Sequence, residues 1–202
     1  MKAIVTGFEP FGGDTLNASW EAVKLIPSTV SGVEIEKFQL PVSFKRVREI
    51  LTRLIEEKHP DLLLLTGQAS GINSLHVERI AINIMDARIP DNDGYKPEDE
   101  PIYPEGPAAY FATIPLKKVV QAIRAAGVPA AVSNSAGTFV CNASMYTALH
   151  HVSVKNLKTR VGFIHVPANP QQALQGNLAS MTPDLVARGI QACIYTCIGS
   201  VL

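Results

Sequence analysis

The chain has 202 residues, 47% of them hydrophobic and 18% charged, enough to bury one sizeable core. Its 18 Lys and Arg balance 18 Asp and Glu, with no basic run, which argues against nucleic acid or an anionic membrane as the main partner. The N-terminus, MKAIVTGFEPFGG, lacks the long apolar stretch and cleavage site of a signal peptide, and the longest apolar run, Leu62 to Leu65, is far too short to span a bilayer.

Strand-like and helix-like segments alternate along the chain. KAIVTGF reads as a strand, followed by a polar loop and a short helix around Trp20 to Ile26. VEIEKFQL sets Val33, Ile35 and Lys37 against Glu34, Glu36 and Phe38, a second strand. Ser43 then caps a helix with Val47, Ile50, Leu51, Leu54 and Ile55 on one stripe. DLLLLTG is continuous and apolar, as a strand covered on both faces would be. Residues 77 to 84 alternate strictly, with Glu78 in phase with Ile80, Ile82 and Ile84. From Pro90 to Pro107 the chain is polar and rich in Pro, Asp and Glu; loops of that length are usually functional or mobile. A helix from about Pro115 to Ala126 has Pro at its first turn and Gly127 after its end. AAVSNSAG and RVGFIHV are further strands, Thr138 to Val140 reads as a strand or extended turn, and Thr182-Pro183 opens a C-terminal helix. The alternation predicts one α/β domain over residues 1–202, three-layered (α/β/α), with a mostly parallel or mixed twisted sheet.

The cysteines carry the first chemical hint. Cys141, Cys193 and Cys197 form an odd set without framework spacing, so no disulfide is expected and a reducing compartment, the cytoplasm, is. Cys141 follows an apolar run and precedes Met145, Leu149 and Val152 at helical spacing, with Asn142 as a cap. A thiol at a helix start meets unpaired N–H groups and the positive end of the dipole, which favour the nucleophilic thiolate. His165 lies late in a strand, in phase with Val161 and Phe163, where a histidine is more often packed than catalytic. Glu78 begins an apolar face; if buried, it must be paired. Cysteine, histidine and a buried carboxylate are the parts of a thiol acyl-transfer site. In open α/β sheets such groups gather beyond the carboxyl ends of strands, here the turns TGFEPFGG, LTGQASG and FIHVPANP.

Five blocks, GFEPFGG, ERIAINIMDARIPDN, GPAAYFATIPLK, SNSAGTFVCN and GFIHVP, resemble pyroglutamyl peptidase type I, the pyrrolidone-carboxylate peptidases. The likeness runs from about residue 3 to the C-terminal helix. It implies a cytosolic cysteine peptidase that removes N-terminal pyroglutamate, with no cofactor or metal, working as a homo-oligomer, often a tetramer. By the same resemblance Cys141 is the nucleophile, His165 the base and Glu78 its carboxylate. Arg88 supports the oxyanion with the Cys141 backbone N–H. Phe8, Phe11, Phe139 and Val140 line the lactam pocket, and the backbones of Gln68 and Ile89 bond the lactam. The chain departs from the family pattern with GQASGI for GQAGGR, NASW for NPSW, CNAS after the cysteine strand and PANP after the histidine strand. These changes spare Cys141, His165, Glu78 and Arg88, and bear on the pocket wall, the leaving side and the rate.

Rival readings are weaker. GFEPFGGD lacks the Lys-Ser/Thr of a phosphate loop. His150 and His151 are adjacent on a helix and read as solvated. Cys193 and Cys197 stand at i, i+4 with no third metal ligand nearby, and read as core or interface. Without convergence of the three chemical groups, the same pocket would make a non-catalytic small-molecule-binding protein.

Overall fold

All seven residues of Leu62–Gln68 are buried, the pattern of a strand with helices on both sides. The computed structural model, which describes residues 1–174 and 177–198, builds a three-layer domain around that strand. Strand β1 (Lys2–Phe8), helix α1 (Ala18–Lys24), the short β2 (Thr29–Val30) and β3 (Val33–Leu40) lead to α2 (Phe44–Lys58) and β4 (Leu62–Gln68). Next come β5 (Leu75–Glu78), β6 (Ile80–Ile82), β7 (Ala109–Phe111), α3 (Leu116–Ala125) and β8 (Ala130–Ser133). Helix α4 (Val140–Val154), β9 (Arg160–Val166), the single-turn α5 (Pro170–Ala173) and α6 (Pro183–Ile198) follow.

The seven-stranded sheet has the order β2-β3-β1-β4-β9-β5-β8. Its left half is parallel from β3 through β1 and β4 to β9. Strands β5 and β8 run parallel to each other but antiparallel to β9, and β2 is antiparallel to β3. The sheet is therefore mixed. On one face, Val5, Leu64 and Ile164 pack with Ala22, Ile123 and Ile190 of α1, α3 and α6. On the other, Ile4, Leu65 and Phe163 pack with Leu51 and Tyr146 of α2 and α4. The alternation of strand side chains divides each strand between these two cores. No helix among the described residues is long and apolar enough to cross a membrane.

Local chemistry sets the helix ends. Ser43 accepts a hydrogen bond from the Arg46 N–H and caps α2, with Val47, Leu51, Leu54 and Ile55 buried beneath. Asn17 caps α1 in the same way through the Ser19 N–H, so that helix begins at Ala18, ahead of the predicted Trp20. Gly127, just past α3, holds a φ of 78°, which glycine takes without a steric penalty.

Four readings of the sequence are corrected. The alternating stretch 77–84 is not one strand: β5 ends at Glu78 in the main sheet, and β6 pairs with β7 in a separate two-stranded sheet. Glu78 and Ile80 therefore do not share a face. Residues 138 and 139 form no strand and α4 starts at Val140, with Phe139 at its N-cap. Asn142 is no cap but lies inside the first turn. His150 and His151 are not simply solvated. The His150 ring lies 4.0 Å from that of Tyr103 and meets the Tyr110 hydroxyl at 3.1 Å, while His151 Nε2 is 3.2 Å from a Glu56 carboxylate oxygen. Burial, then the nearby Arg48 and His151 charges, push the His150 pKa down. Adjacent helix positions do point apart; here each finds its own neighbouring element.

The topology opens a crevice at a predictable place. From β1 the chain moves through α1 to β3 on one side, then through α2 on the opposite face back to β4 on the other side. Such a reversal of strand order leaves a gap beyond the strand ends, where ligands bind. Here Phe8 ends β1 and Gln68 ends β4, and the register of the two strands stops earlier, at Thr6 and Leu65.

Candidate active site

A cavity of about 140 Å³ fills that gap, lined by Phe8, Phe11, Asn17, Val42 and Gln68 on one side and by residues 136–141 and His165 on the other. It is smaller than the ~300–1,000 Å³ of sites that take drug-sized ligands, so it suits one small group. The walls are aromatic. Phe11 and Phe139 stand 6.0 Å apart between ring centroids, and Phe44 buttresses Phe139 edge-on at 5.4 Å. Edge-to-face packing of this kind holds a ring more firmly than area burial alone. A larger groove, about 570 Å³, runs between α2 and the 85–103 stretch; none of Cys141, His165 and Glu78 lines it.

The loops around the cavity are tied to the scaffold through carboxylates. Glu9 accepts from the Val42 backbone N–H at 3.0 Å and from the Asn92 amide at 2.9 Å. Asp91 accepts the Phe44 N–H at the start of α2 and the N–H groups of Asp93 and Tyr95. The long polar stretch after Pro90 is thus folded onto the head of α2. The Gln68 side chain accepts from the Ala18 N–H at 2.8 Å, fixing the end of β4 against α1.

Cys141 is the second residue of α4 and is partly exposed. The N-cap residue Phe139 offers no side-chain hydrogen bond, so no capping side chain competes for the donors of the first turn. Asn142 is fully buried and accepts from the Ile82 N–H at 2.9 Å. Its amide donates to the carbonyls of Ile82 at 2.9 Å and Ile84 at 3.0 Å. Those bonds lock the turn carrying Cys141 to β6. No local sequence signal reveals this role, because the partners are 58 to 60 positions away.

His165 and Glu78 meet through the antiparallel pairing. Val77 lies opposite Ile164 and His76 opposite His165. Continuing that register puts Glu78 opposite Phe163, so His165 is its diagonal neighbour on the same face. The His165 Nδ1 is 2.8 Å from Glu78 Oε1, with Glu78 1% and His165 7% exposed. A carboxylate there accepts the Nδ1–H and leaves Nε2 for the thiol. The second Glu78 oxygen is buried with no hydrogen-bond partner among the described residues. Burial alone would push the imidazole down. The charge and hydrogen bond of Cys141, joined by those of Glu78, outweigh it and raise His165 to about 9. The imidazole is thus held toward its protonated form between the Cys141 sulfur and a buried carboxylate.

Of the residues expected from the sequence, Cys141, His165, Phe8, Phe11, Gln68, Phe139 and Val140 line one cavity, and Glu78 stands behind His165. Arg88 and Ile89 follow the buried Ala87 on an exposed segment and are not among the lining residues. The Ile89 side chain approaches the Gly12 backbone, within 3.8 Å of where a Cβ would stand. Asn17, Val42, Ala136, Gly137 and Thr138 are further lining residues.

The family model described as pyroglutamyl peptidase matches residues 1–200. A pyrrolidone-carboxylate peptidase of Thermococcus kodakarensis is 57% identical over 194 residues, covering 96% of this chain and 94% of its own. One from Alkaliphilus oremlandii is 45% identical over 199 residues, covering 98% and 93%. Among solved structures, the pyroglutamyl peptidase I of Bacillus amyloliquefaciens superposes with a TM-score of 0.94 at 41% identity, over 98% of this chain and 95% of the other. A mutant pyrrolidone carboxyl peptidase of Pyrococcus furiosus does so at 0.94 and 40%, over 100% of both chains.

Proposed function

The chain belongs to the pyroglutamyl peptidase family, cysteine-type hydrolases that remove N-terminal pyroglutamate from peptides, and on that premise we propose that Cys141, His165 and Glu78 carry the reaction. The observation that supports this assignment best is the 2.8 Å His165–Glu78 contact behind a cavity that Cys141 lines. The Cys141 thiolate attacks the carbonyl joining pyroglutamate to the next residue. The Cys141 backbone N–H steadies the oxyanion; the resemblance adds Arg88, which stands on an exposed segment outside the cavity lining. The imidazolium of His165 gives its proton to the leaving amine as the C–N bond breaks, leaving a thioester and the shortened peptide. His165 then takes a proton from water, whose oxygen attacks the thioester; free pyroglutamate leaves and the thiol is restored. Glu78 holds the imidazole in the required tautomer and stabilises its cation.

The substrate's ring explains the slot. Cyclisation removes the α-ammonium and leaves a small flat lactam with one N–H and one C=O. Phe8, Phe11, Phe139 and Val140 cover its faces, while the resemblance assigns its two polar atoms to backbone groups of Gln68, which lines the cavity, and of Ile89, which does not. The finer points rest on the resemblance: a homo-oligomer, often a tetramer, and a cytoplasmic setting in keeping with three free thiols. Light scattering on the purified protein tests the first. Turnover of a chromogenic pyroglutamyl amide, with and without a chelator, tests the reaction: it should proceed equally in both and cease on alkylation of Cys141. Activity that survives complete alkylation of Cys141 would remove it as nucleophile.

A further inference from the structure

We infer that Gly67 is a positioning residue for the nucleophile: its missing side chain is the recess in which the Cys141 sulfur rests beside His165. The inference builds on the assignment of Cys141 as nucleophile. In the β4–β9 register Gly67 pairs with His165, and residues in register on parallel strands present the same face. A Cβ built on Gly67 would stand 2.7 Å from Cys141 Sγ, 2.9 Å from Phe163 Cζ and 3.3 Å from Phe163 Cε1. The recess thus has a strand backbone as floor, the Phe163 ring as one wall and, with the ring centroids of Phe163 and His165 only 4.7 Å apart, the imidazole beside it. Helix α4 delivers Cys141 from above, held in place by Asn142.

The backbone does not require glycine here. Gly67 lies in extended strand and, unlike Gly12 or Gly127, has no positive φ. Glycine inside a strand forfeits packing and conformational entropy, and such a residue often marks the close approach of another group. Gly7, Gly106, Gly162 and Gly189 are as crowded but meet different things: the Trp20 backbone at Gly7 and the Tyr146 hydroxyl at Gly106. An added Cβ at Gly162 would strike Ile114, and at Gly189 it would strike Leu75. The last two clashes are with the ends of flexible apolar side chains; among these five glycines, Gly67 alone meets the Cys141 sulfur. A methyl at position 67 would lift the sulfur out of its place against the imidazole while leaving the aromatic slot for the lactam intact.

Gly67→Ala is the test. A displacement of about 1 Å costs on the order of 10²-fold in rate, so kcat for a pyroglutamyl amide should fall by about that factor, with KM changing less than about threefold. Alkylation of Cys141 by iodoacetamide should slow at neutral pH. Gly189→Ala, equally crowded but remote from the site, should lower the melting temperature without moving the alkylation profile. A stability cycle covers the case in which Gly67→Ala folds poorly. If sulfur is the obstacle, the same substitution should be better tolerated in the Cys141→Ala background than in wild type. A Gly67→Ala enzyme with wild-type kcat and alkylation profile overturns the inference. So does equal destabilisation in both backgrounds, which would make Phe163 the only reason for glycine. Failure of the nucleophile assignment is a separate result, read from Cys141→Ala alone retaining turnover.

Discussion

Cys141 and the Cys193–Cys197 pair stand on helices packed against opposite faces of the sheet. Cys141 sits in the first turn of α4, partly exposed, with a buried imidazole beside it and a carboxylate behind that. Cys193 and Cys197 sit in the second half of α6, 0% and 2% exposed, their sulfurs 3.9 Å apart. A hydrogen bond with Cys197 and burial, in that order, push the Cys193 thiol well above the usual range. No cluster of three or more His, Cys, Asp or Glu able to hold a metal is found among the described residues. On the proposed assignment, the same side chain is a reagent in one place and a small hydrophobe in the other. The difference lies in what stands around the sulfur: helix-start donors and a buried imidazole in one case, an apolar helix interior in the other.

The largest effect breaks the comparison outright. Cys141→Ala should abolish turnover, while Cys193→Ser and Cys197→Ser should keep it. Titration of the native wild-type protein with a thiol reagent should find one fast cysteine, and all three only after unfolding. Equal reactivity of all three in the folded state would mean that the surroundings do not make the distinction.

The cavity beside Cys141 is apolar like the core around Cys193, but it is open to a ring. An uncyclised N-terminal glutamine would bring an ammonium into that slot without a counter-charge, at a cost of several kcal/mol. At ~1.4 kcal/mol per decade, pyroglutamyl amides should exceed matched glutaminyl amides by roughly 10³-fold in kcat/KM. Phe139→Ala should wet the slot and narrow that ratio while leaving Cys141 able to react with iodoacetamide. Similar kcat/KM for the two amides would refute an apolar origin of specificity.

How much of this contrast could be read without coordinates depends on the range of each interaction. The stripe of α2 and the fully buried β4 follow from local periodicity. So does the helix-start position of Cys141, and the apolar companions Val186, Ile190, Ile194 and Ile198 mark Cys193 and Cys197 as core or interface, of which the structure shows core. The antiparallel seating of β5 on β9 does not follow, because nothing between Gln68 and Leu75 announces that the next strand reverses its direction. Glu78 does not head a strand with Ile80 and Ile82 as the alternation suggests, but a buried carboxylate must still be paired, and His165 pairs it. His150, Asn142 and Gly67 take their roles from partners far along the chain, and no local pattern carries those.

Removing the proposed base and its carboxylate should strip Cys141 toward the condition of Cys193. His165→Ala should lower kcat by on the order of 10²-fold or more. Glu78→Gln should cost less and leave a signature in pH. In the folded protein His165 is raised from 6.5 to about 9, so its proton stabilises the native state below the unfolded value, and that contribution is lost as pH rises through about 9. Activity that needs the imidazolium should fall over the same alkaline range. Glu78→Gln removes one of the influences that raise His165 while burial still lowers it, so the alkaline limb should move to lower pH. A folded Glu78→Gln enzyme with the wild-type limb would assign Glu78 to structure alone.

The smallest effect on activity is expected on α6, and it completes the contrast from the other side. Cys193 is 0% exposed among Leu75, Ile190 and Ile194 of the same core, so Cys193→Ser replaces a sulfur at ease in apolar surroundings with a hydroxyl that must be satisfied. The hydroxyl can bond back to the carbonyl one turn earlier in the helix, at Gly189, which recovers part of the cost. Destabilisation of about 1–2 kcal/mol is expected, at the lower part of the range for a poorly satisfied buried polar group. The kcat per folded molecule should stay at the wild-type value, because α6 packs against the face of the sheet opposite the one that holds Cys141. Cys141→Ser should do the reverse, losing rate while its melting temperature stays close to wild type, since Cys141 is partly exposed at the edge of a cavity. Denaturant titration of both variants, paired with initial rates, separates the two roles. A Cys193→Ser protein that is fully stable yet slow would place α6 in the chemistry and end the division between a reactive and a structural cysteine.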